Sequence, residues 1–475
     1  MTTPAGNSLR FSDNAARAQA DANLQVALEK LQRDTRTSRR VVMDRLPEFE
    51  DLRDRAVAIK NHTLAHLDHY LEEFEGNVTN AGGTVHWCAN ADDARRAILQ
   101  LCRNADAKTV GKGKSMVSEE IDLNDYLIDA GLDVVETDLG EYILQLRQET
   151  PSHVVMPAIH LKKEQIADTF RDHHATLDPG RPLDEPRQMT EEARVKLREK
   201  FLAADVGITG ANMLIAETGS IVVVTNEGNG DLTQTLPRVH IVLATIEKVL
   251  PRVEDALSII RLLARSATGQ EITCYTTFAT GARRDGDLDG PQEFHLVLMD
   301  NGRTRLLESE FRDVLRCIRC GACQSTCPVY GAVGGHAYGG VYGGPIGAVL
   351  TPALDGIENA WTLPEASSLC GACEAVCPMR IPLPDLMRKW RDIAHRDRLN
   401  KSRPRLGLAL WAWTATRPRL YRTGVRLAMT VLKLLAGKRG GLRSMPLAAG
   451  WTTARDLPAP EGGTFVEQWK RMRNQ

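Results

Sequence analysis

No apolar run in this sequence reaches the ~18 residues that a membrane-spanning helix needs. The first stretch, "MTTPAGNSLRFSDNAARAQAD", is polar overall and has no apolar signal core. Both absences point to a cytoplasmic chain, or to one peripheral to the inner face of a membrane. Excess charge is missing too. The 60 Lys and Arg against 61 Asp and Glu leave a formal net charge of −1. That balance calls for no nucleic-acid partner. Two nucleotide signatures fail in "VGKGKSMVSEE" (Val110 to Glu120). A phosphate-cradling loop would need Gly where Lys108 stands, and a dinucleotide fingerprint would need Gly where Met116 stands. No flavin fingerprint occurs either. The cysteines, 10 in all, are clustered, and in a reducing compartment clustering favours metal over disulfides.

The 475 residues are 43% hydrophobic, enough for several cores. Residues 1 to about 80 read as helical, with apolar residues at helical spacing in "DNAARAQADANLQVALEKLQRD" and "PEFEDLRDRAVAIKNHTLAHLDHYLEEF", and 1–60 form an N-terminal segment of their own. From 61 to 304 short β-branched runs ("TVHWC", "AKTVGKG", "LDVVET", "SHVVMP", "RVHIVLATI", "EFHLVLMD") alternate with helical stretches. Alternation of this kind predicts an α/β domain with a largely parallel sheet. Residues 305–385 carry the cysteines. The stretch 386–475 turns basic, with sixteen Lys and Arg against two acids between Arg388 and Arg443.

Seven cysteines lie in two strings, "CIRCGACQSTCP" and "CGACEAVCP". The first, Cys317, Cys320, Cys323 and Cys327, has the spacing of an iron–sulfur ligand run whose fourth cysteine serves the other cluster. A four-cysteine zinc site would show separated CxxC pairs instead. The second string supplies Cys370, Cys373 and Cys377, and Ser367 stands where its leading cysteine would fall. Cross-ligation then predicts one [4Fe-4S] cluster on Cys317, Cys320, Cys323 and Cys377. The second, on Cys327, Cys370 and Cys373, is one thiolate short and would be [4Fe-4S] or [3Fe-4S]. Two such clusters make an electron wire. The remaining cysteines, Cys88, Cys102 and Cys274, are expected inside the α/β domain as small apolar side chains.

Other candidates are weaker. Lys112, Lys114 and Ser115 at a helix start would suit an anion, or equally a solvated turn. Glu217 in "AETGSIVVVTNEGNG" could act as acid or nucleophile, but a structural role is favoured. His153 and His160 read as structural. The glycine-rich "VYGAVGGHAYGGVYGGPIG" permits close approach of a neighbouring chain, with an unstructured loop as the alternative. "LALWAWTATRPRLYRTGVRLAMTVLKLLAG" suits a partner subunit or an anionic membrane surface, broken by Pro404 and Pro418 into short pieces.

The order of "VGKGKSMVSEEI", "VVETDLGEYILQL", "PSHVVMPAIHL", "AETGSIVVVTNEGN", "CIRCGACQSTCPVY", "YGGPIG" and "CGACEAVCP" resembles the lactate utilization protein B family. These are iron–sulfur subunits of three-protein bacterial L-lactate dehydrogenase complexes. The resemblance implies a lactate-utilization domain, similar in fold to sugar-phosphate isomerases and CoA transferases. An α-helical ferredoxin-type domain with two clusters would follow, of a type that commonly carries seven cysteines. Partners would be a cysteine-rich heterodisulfide-reductase-like subunit and a second lactate-utilization-domain subunit. The implied role is electron transport during oxidation of L-lactate to pyruvate. The alternatives are the iron–sulfur subunit of another 2-hydroxyacid oxidase, such as one for glycolate, and an autonomous enzyme on a phosphorylated or CoA-linked substrate.

Overall fold

Every residue of the run Val239–Thr245 is buried, which is what a strand covered on both faces requires. In this computed structural model, which describes residues 7–400, 402–444, 452 and 455–474, that run lies inside a six-stranded sheet. Its strands are β1 (Gly83–Cys88), β2 (Thr109–Lys112), β3 (Asp133–Glu136), β4 (Val206–Gly210), β7 (Val239–Thr245) and β10 (Glu293–Met299). The order is β1-β10-β7-β4-β2-β3, and every neighbouring pair is parallel. Side chains alternate between faces. Val239, Ile241 and Leu243 pack with Ile98 and Cys102 of the helix Ala91–Asn104. Val242 and Ala244 face Leu71 and Phe74 of the helix Leu67–Asn80.

A second sheet holds β5 (Met213–Ile215), β6 (Ser220–Thr225), β8 (Val249–Leu250) and β9 (Tyr275–Ala279), in the order β8-β5-β6-β9. The segment "SHVVMP", expected as a strand, is instead an irregular loop. The ring of His153 explains this, because its Nδ1 accepts the amides of Val155 at 3.1 Å and Met156 at 3.2 Å. Those amides are then lost to any sheet ladder.

The chain divides into two compact units, Met1–Ala394 and His395–Gln475. In the first, the cysteine region is a set of short helices, and the glycine-rich segment between the strings is folded tightly. A Cβ on Gly335 would lie 1.7 Å from the Ser152 carbonyl oxygen, and one on Gly347 would lie 1.6 Å from that of Tyr342. The helices Phe11–Ala20 and Ala22–Asp44 pack on this region rather than on the sheet. Asn14 donates to the Ala337 carbonyl at 3.4 Å, and Gln32 to that of Cys327 at 2.7 Å.

The second unit holds the helices Ser402–Ala415 and Pro418–Ala436 and a terminal helix, Phe465–Arg473. The prolines do not break it into short pieces as expected. Pro404 lies in the first turn of one helix and Pro418 opens the other, where a missing N–H costs little. Trp411, Trp413, Leu427 and Leu434 are exposed. No helix of the described residues is long and apolar enough to cross a membrane.

Candidate metal centre

The two cysteine strings fold alike. In the first, Arg319 (φ 59°) and Gly321 (φ 72°) are left-handed, and in the second Leu369 (φ 54°) and Gly371 (φ 81°) repeat the pattern. Each pair curls the backbone into a tight loop that runs into a short helix, Ala322–Thr326 or Ala372–Val376. The loops aim amides at sulfur. The Arg319 amide lies 3.4 Å from Cys317 Sγ, and the Tyr330 amide 3.5 Å from Cys327 Sγ. Cys320 receives the Ala322 amide, Cys370 that of Ala372, Cys373 that of Glu374, and Cys377 those of Met379 and Ile381. Amides directed at sulfur stabilise thiolates and tune clusters, so the donor set fits iron–sulfur clusters.

Electrostatic proximity sorts the thiols. Cys320 senses Cys377 and Cys317, and Cys323 senses Cys317, Cys320 and Cys377. Cys327 senses Cys370, and Cys373 senses Cys327 and Cys370. Cys323 also senses Cys373, so the two groups are neighbours. Burial, followed by thiol–thiol repulsion, pushes Cys320 and Cys373 up to about 12. Thiols so placed need bound cations before they ionise. Cys370 differs: it is exposed, and the Ala372 amide and the Ser368 hydroxyl lower its pKa. Among the described residues no three His, Cys, Asp or Glu side chains converge as ligands of a single ion do. Around a cubane each thiolate faces its own iron, and the sulfurs stand further apart.

The Ser367 hydroxyl accepts the Leu369 amide at 3.1 Å, fixing the loop that enters the second string. It is the adjacent Ser368 that bonds Cys370, a partner that sequence alignment of the two strings did not single out. Of the scattered cysteines, Cys88 and Cys102 are buried, and burial raises them to about 11 and about 12. Cys274 departs from expectation. It is exposed just before β9, with its amide on Asn226 Oδ1 at 3.2 Å.

Positive charge surrounds the group that contains Cys317. Arg53 Nη2 donates to the carbonyls of Cys377 at 2.7 Å and Ala375 at 3.1 Å, and Arg39 donates to that of Val376. Lys60 donates to the Glu247 carbonyl, and Cys317 is among the groups acting on it. Arg319 Nη2 lies 3.6 Å from Glu247 Oε1. Burial alone would raise the Glu247 carboxyl, but Arg303 and Arg319 reverse that and hold it at about 2. Arg39, Arg53 and Lys60 come from N-terminal helices far off in sequence, so periodicity gave no sign of them.

The other candidates resolve as structure. Lys112 offers no charge to an anion, since its Nζ lies 2.7 Å from Glu136 Oε1 and 3.3 Å from Glu119 Oε1. Lys114 donates to the Val155 carbonyl at 2.6 Å, and Ser115 caps the Ser118 amide at 3.3 Å. Glu217 is exposed and accepts the Val253 amide at 3.1 Å, where the helix Val253–Ala267 begins. His160 pairs with Glu149 at 2.8 Å. His153 is fully buried, and burial with nearby Lys114 lowers its pKa to about 3. Its segment lies so close to the first loop that a Cβ on Gly321 would be 2.9 Å from the imidazole Cε1. "PSHVVMP" is therefore the seam between the α/β domain and the cysteine loops.

Comparison with known proteins agrees with this geometry. Residues 71–299 match the family described as LUD domain, and residues 313–381 match the 4Fe-4S dicluster domain. Lactate utilization protein B of Shouchella clausii is 43% identical over 462 residues, 97% of this chain and 96% of that protein. Lactate utilization protein B 2 of Bacillus mycoides is 41% identical over 463 residues, 97% of each. A protein of Escherichia coli K12 described as the uncharacterized electron transport protein YkgF is 43% identical over 457 residues, 96% of this chain and 95% of that one.

Proposed function

The chain belongs to the lactate utilization protein B family, and on that footing we propose that it is the iron–sulfur electron-transfer subunit of a complex oxidising L-lactate to pyruvate. The observation that carries this reading is the seven-thiol arrangement, with backbone amides aimed at its sulfurs. Cys317, Cys320, Cys323 and Cys377 are assigned to one [4Fe-4S] cluster, and Cys327, Cys370 and Cys373 to a second, [4Fe-4S] or [3Fe-4S]. Bound there, the clusters would supply single-electron transfer. The chain's own residues hold, insulate and charge-balance them. Tyr330 and Tyr338 are fully buried in the same core as Cys327, Cys373 and Cys377 and exclude water from it. Arg39, Arg53, Lys60 and Arg319 offset negative charge on the first group.

Lactate oxidation releases two electrons and two protons, and the sequence has no flavin or nicotinamide fingerprint to take them directly. Electrons therefore arrive from a partner, for which a cysteine-rich heterodisulfide-reductase-like subunit and a second lactate-utilization-domain subunit are the candidates. The exposed Trp and Leu side chains of the second unit suit docking to such a partner. We divide the chain into a helical segment (1–60), a lactate-utilization domain (61–304), a ferredoxin-type domain (305–385) and a basic region (386–475), and place it in the cytoplasm or on the inner face of the membrane. A clean deletion in a strain without a second lactate dehydrogenase should abolish growth on L-lactate and leave growth on pyruvate intact. Normal growth of that strain on L-lactate would contradict the proposal.

A further inference from the structure

At the carboxyl ends of β2 and β3 a cavity of about 420 Å³ opens in the α/β domain. Ligands of open α/β sheets bind beyond this end of the strands. Its walls carry Glu119, Asp122, Asp125, Glu136, Glu141 and Glu149, and no Lys, Arg or His side chain lines it. Lys112 lies beneath the wall and is committed to Glu136 and Glu119. Glu149 is paired with Arg147 at 2.7 Å and with His160. Negative charge thus remains in excess. Three acceptors around the cavity have no hydrogen-bond partner: Glu136 Oε2, Glu141 Oε1 and Asn124 Oδ1. Glu136 and Glu141 are 2% and 4% exposed, so the missing partners are not supplied by bulk solvent. A buried acceptor without a donor costs about 1–3 kcal/mol. Three around one cavity describe a place shaped for a molecule that brings donors.

We propose that this cavity is a binding site for a small organic ammonium ion, with Glu136, Glu141 and Asn124 accepting from its N–H groups. The charge of the walls rejects carboxylates and phosphates, lactate included. The room exceeds that of a bare metal ion, being more than ten times the ~30 Å³ share of one water, and no three acidic side chains among the described residues converge on a metal position. Burial, then Glu119 and Glu136, raises the Glu141 carboxyl well above its usual range, against the opposing pull of Lys114 and Lys112, so a cation beside it relieves repulsion among the three carboxylates. Gly340 and Val341, from the segment between the cysteine strings, close one wall. The neighbouring Tyr342 donates to Glu120 at 2.8 Å and carries the Arg319 guanidinium over its ring. A bound ligand therefore touches the segment that leads to Cys317. This site stands apart from the electron-transfer reading and holds whether or not lactate is the fuel of the complex.

The test is calorimetric titration of the full, cluster-loaded chain with putrescine and with ethanolamine, against sodium L-lactate and inorganic phosphate at equal ionic strength. At least one amine should bind, at one site. Glu141→Gln should weaken binding at least tenfold, and Val341→Trp, which fills the cavity without changing charge, should abolish it. Unchanged cluster EPR spectra certify the fold of each variant. In the unmodified chain, amine binding should also slow hydrogen exchange in residues 118–125. The proposal is overturned if neither amine binds, if amine binding survives Val341→Trp, or if L-lactate or phosphate binds and Val341→Trp abolishes it.

Discussion

The Arg319 guanidinium lies 5.0 Å from the ring centroid of Tyr342, while its own amide stands 3.4 Å from Cys317 Sγ. One half-buried residue thus joins the cysteine site, the segment between the strings and, through Glu247, the α/β domain. Positive charge near a cluster stabilises its reduced, more negative state. Arg319→Gln should therefore shift the first cluster's midpoint potential negative and leave the second cluster unchanged. EPR-monitored redox titration measures both at once. An unmoved potential would show that Glu247 already cancels the charge.

The grouping of thiols predicts selective damage. Cys320→Ser should degrade the cluster proposed on Cys317, Cys320, Cys323 and Cys377 alone, and Cys373→Ser the cluster proposed on the other three thiols alone. Mössbauer spectra of the two variants distinguish the sites. Ser367→Cys should slow oxidative loss of iron from the three-thiolate cluster, provided the loop gives up the hydrogen bond to the Leu369 amide. Loss of both clusters from either Cys→Ser variant would refute independent sites.

Gly335 should tolerate no side chain. A Cβ would stand 1.7 Å from the Ser152 oxygen, and neither backbone segment can yield without opening the seam. Gly335→Ala should cost more than about 3 kcal/mol, in the range reserved for severe core defects. Anaerobic denaturant unfolding followed by cluster absorbance measures it. Gly424→Ala, in open space on the second unit's helix, serves as the control and should be neutral or slightly stabilising.

His153 makes the seam sensitive to acid. Its folded pKa, lowered to about 3 by burial and Lys114, lies below the unfolded value near 6.5. The folded state therefore resists protonation. Its stability is complete above about pH 6.5 and is lost progressively as pH falls towards 3. Between pH 7.5 and 5.5 this group alone should remove about 1.4 kcal/mol. The difference in unfolding free energy between the wild type and His153→Gln, measured at both pH values, isolates that share from the other histidines.

The parallel sheet and the helical dicluster type were legible in the sequence because both are local signals. Val239–Thr245 is apolar at five of its seven positions, and cysteine spacing survives any fold. The β-branched run in "SHVVMP" has a strand's pattern, but Val154 and Val155 pack against Gly321 while His153 takes the amides of Val155 and Met156. The helices before residue 60 gave their period but not their destination. Gln32 reaches Cys327 and Arg53 reaches Cys377 across some three hundred residues, and no pattern within a window encodes that. The role of Lys112 is hidden in the sequence for the same reason, since its partner Glu136 sits on the neighbouring strand.

The most direct test of the electron-transfer account is anaerobic EPR of this chain after addition of L-lactate, alone and assembled with its two proposed partners. The account predicts that the purified chain stays unreduced and turns over no lactate, while in the assembly both clusters are reduced by L-lactate and not by glycolate. Reduction of the isolated chain by L-lactate, or clusters in the assembly that remain oxidised while lactate is consumed, would contradict it.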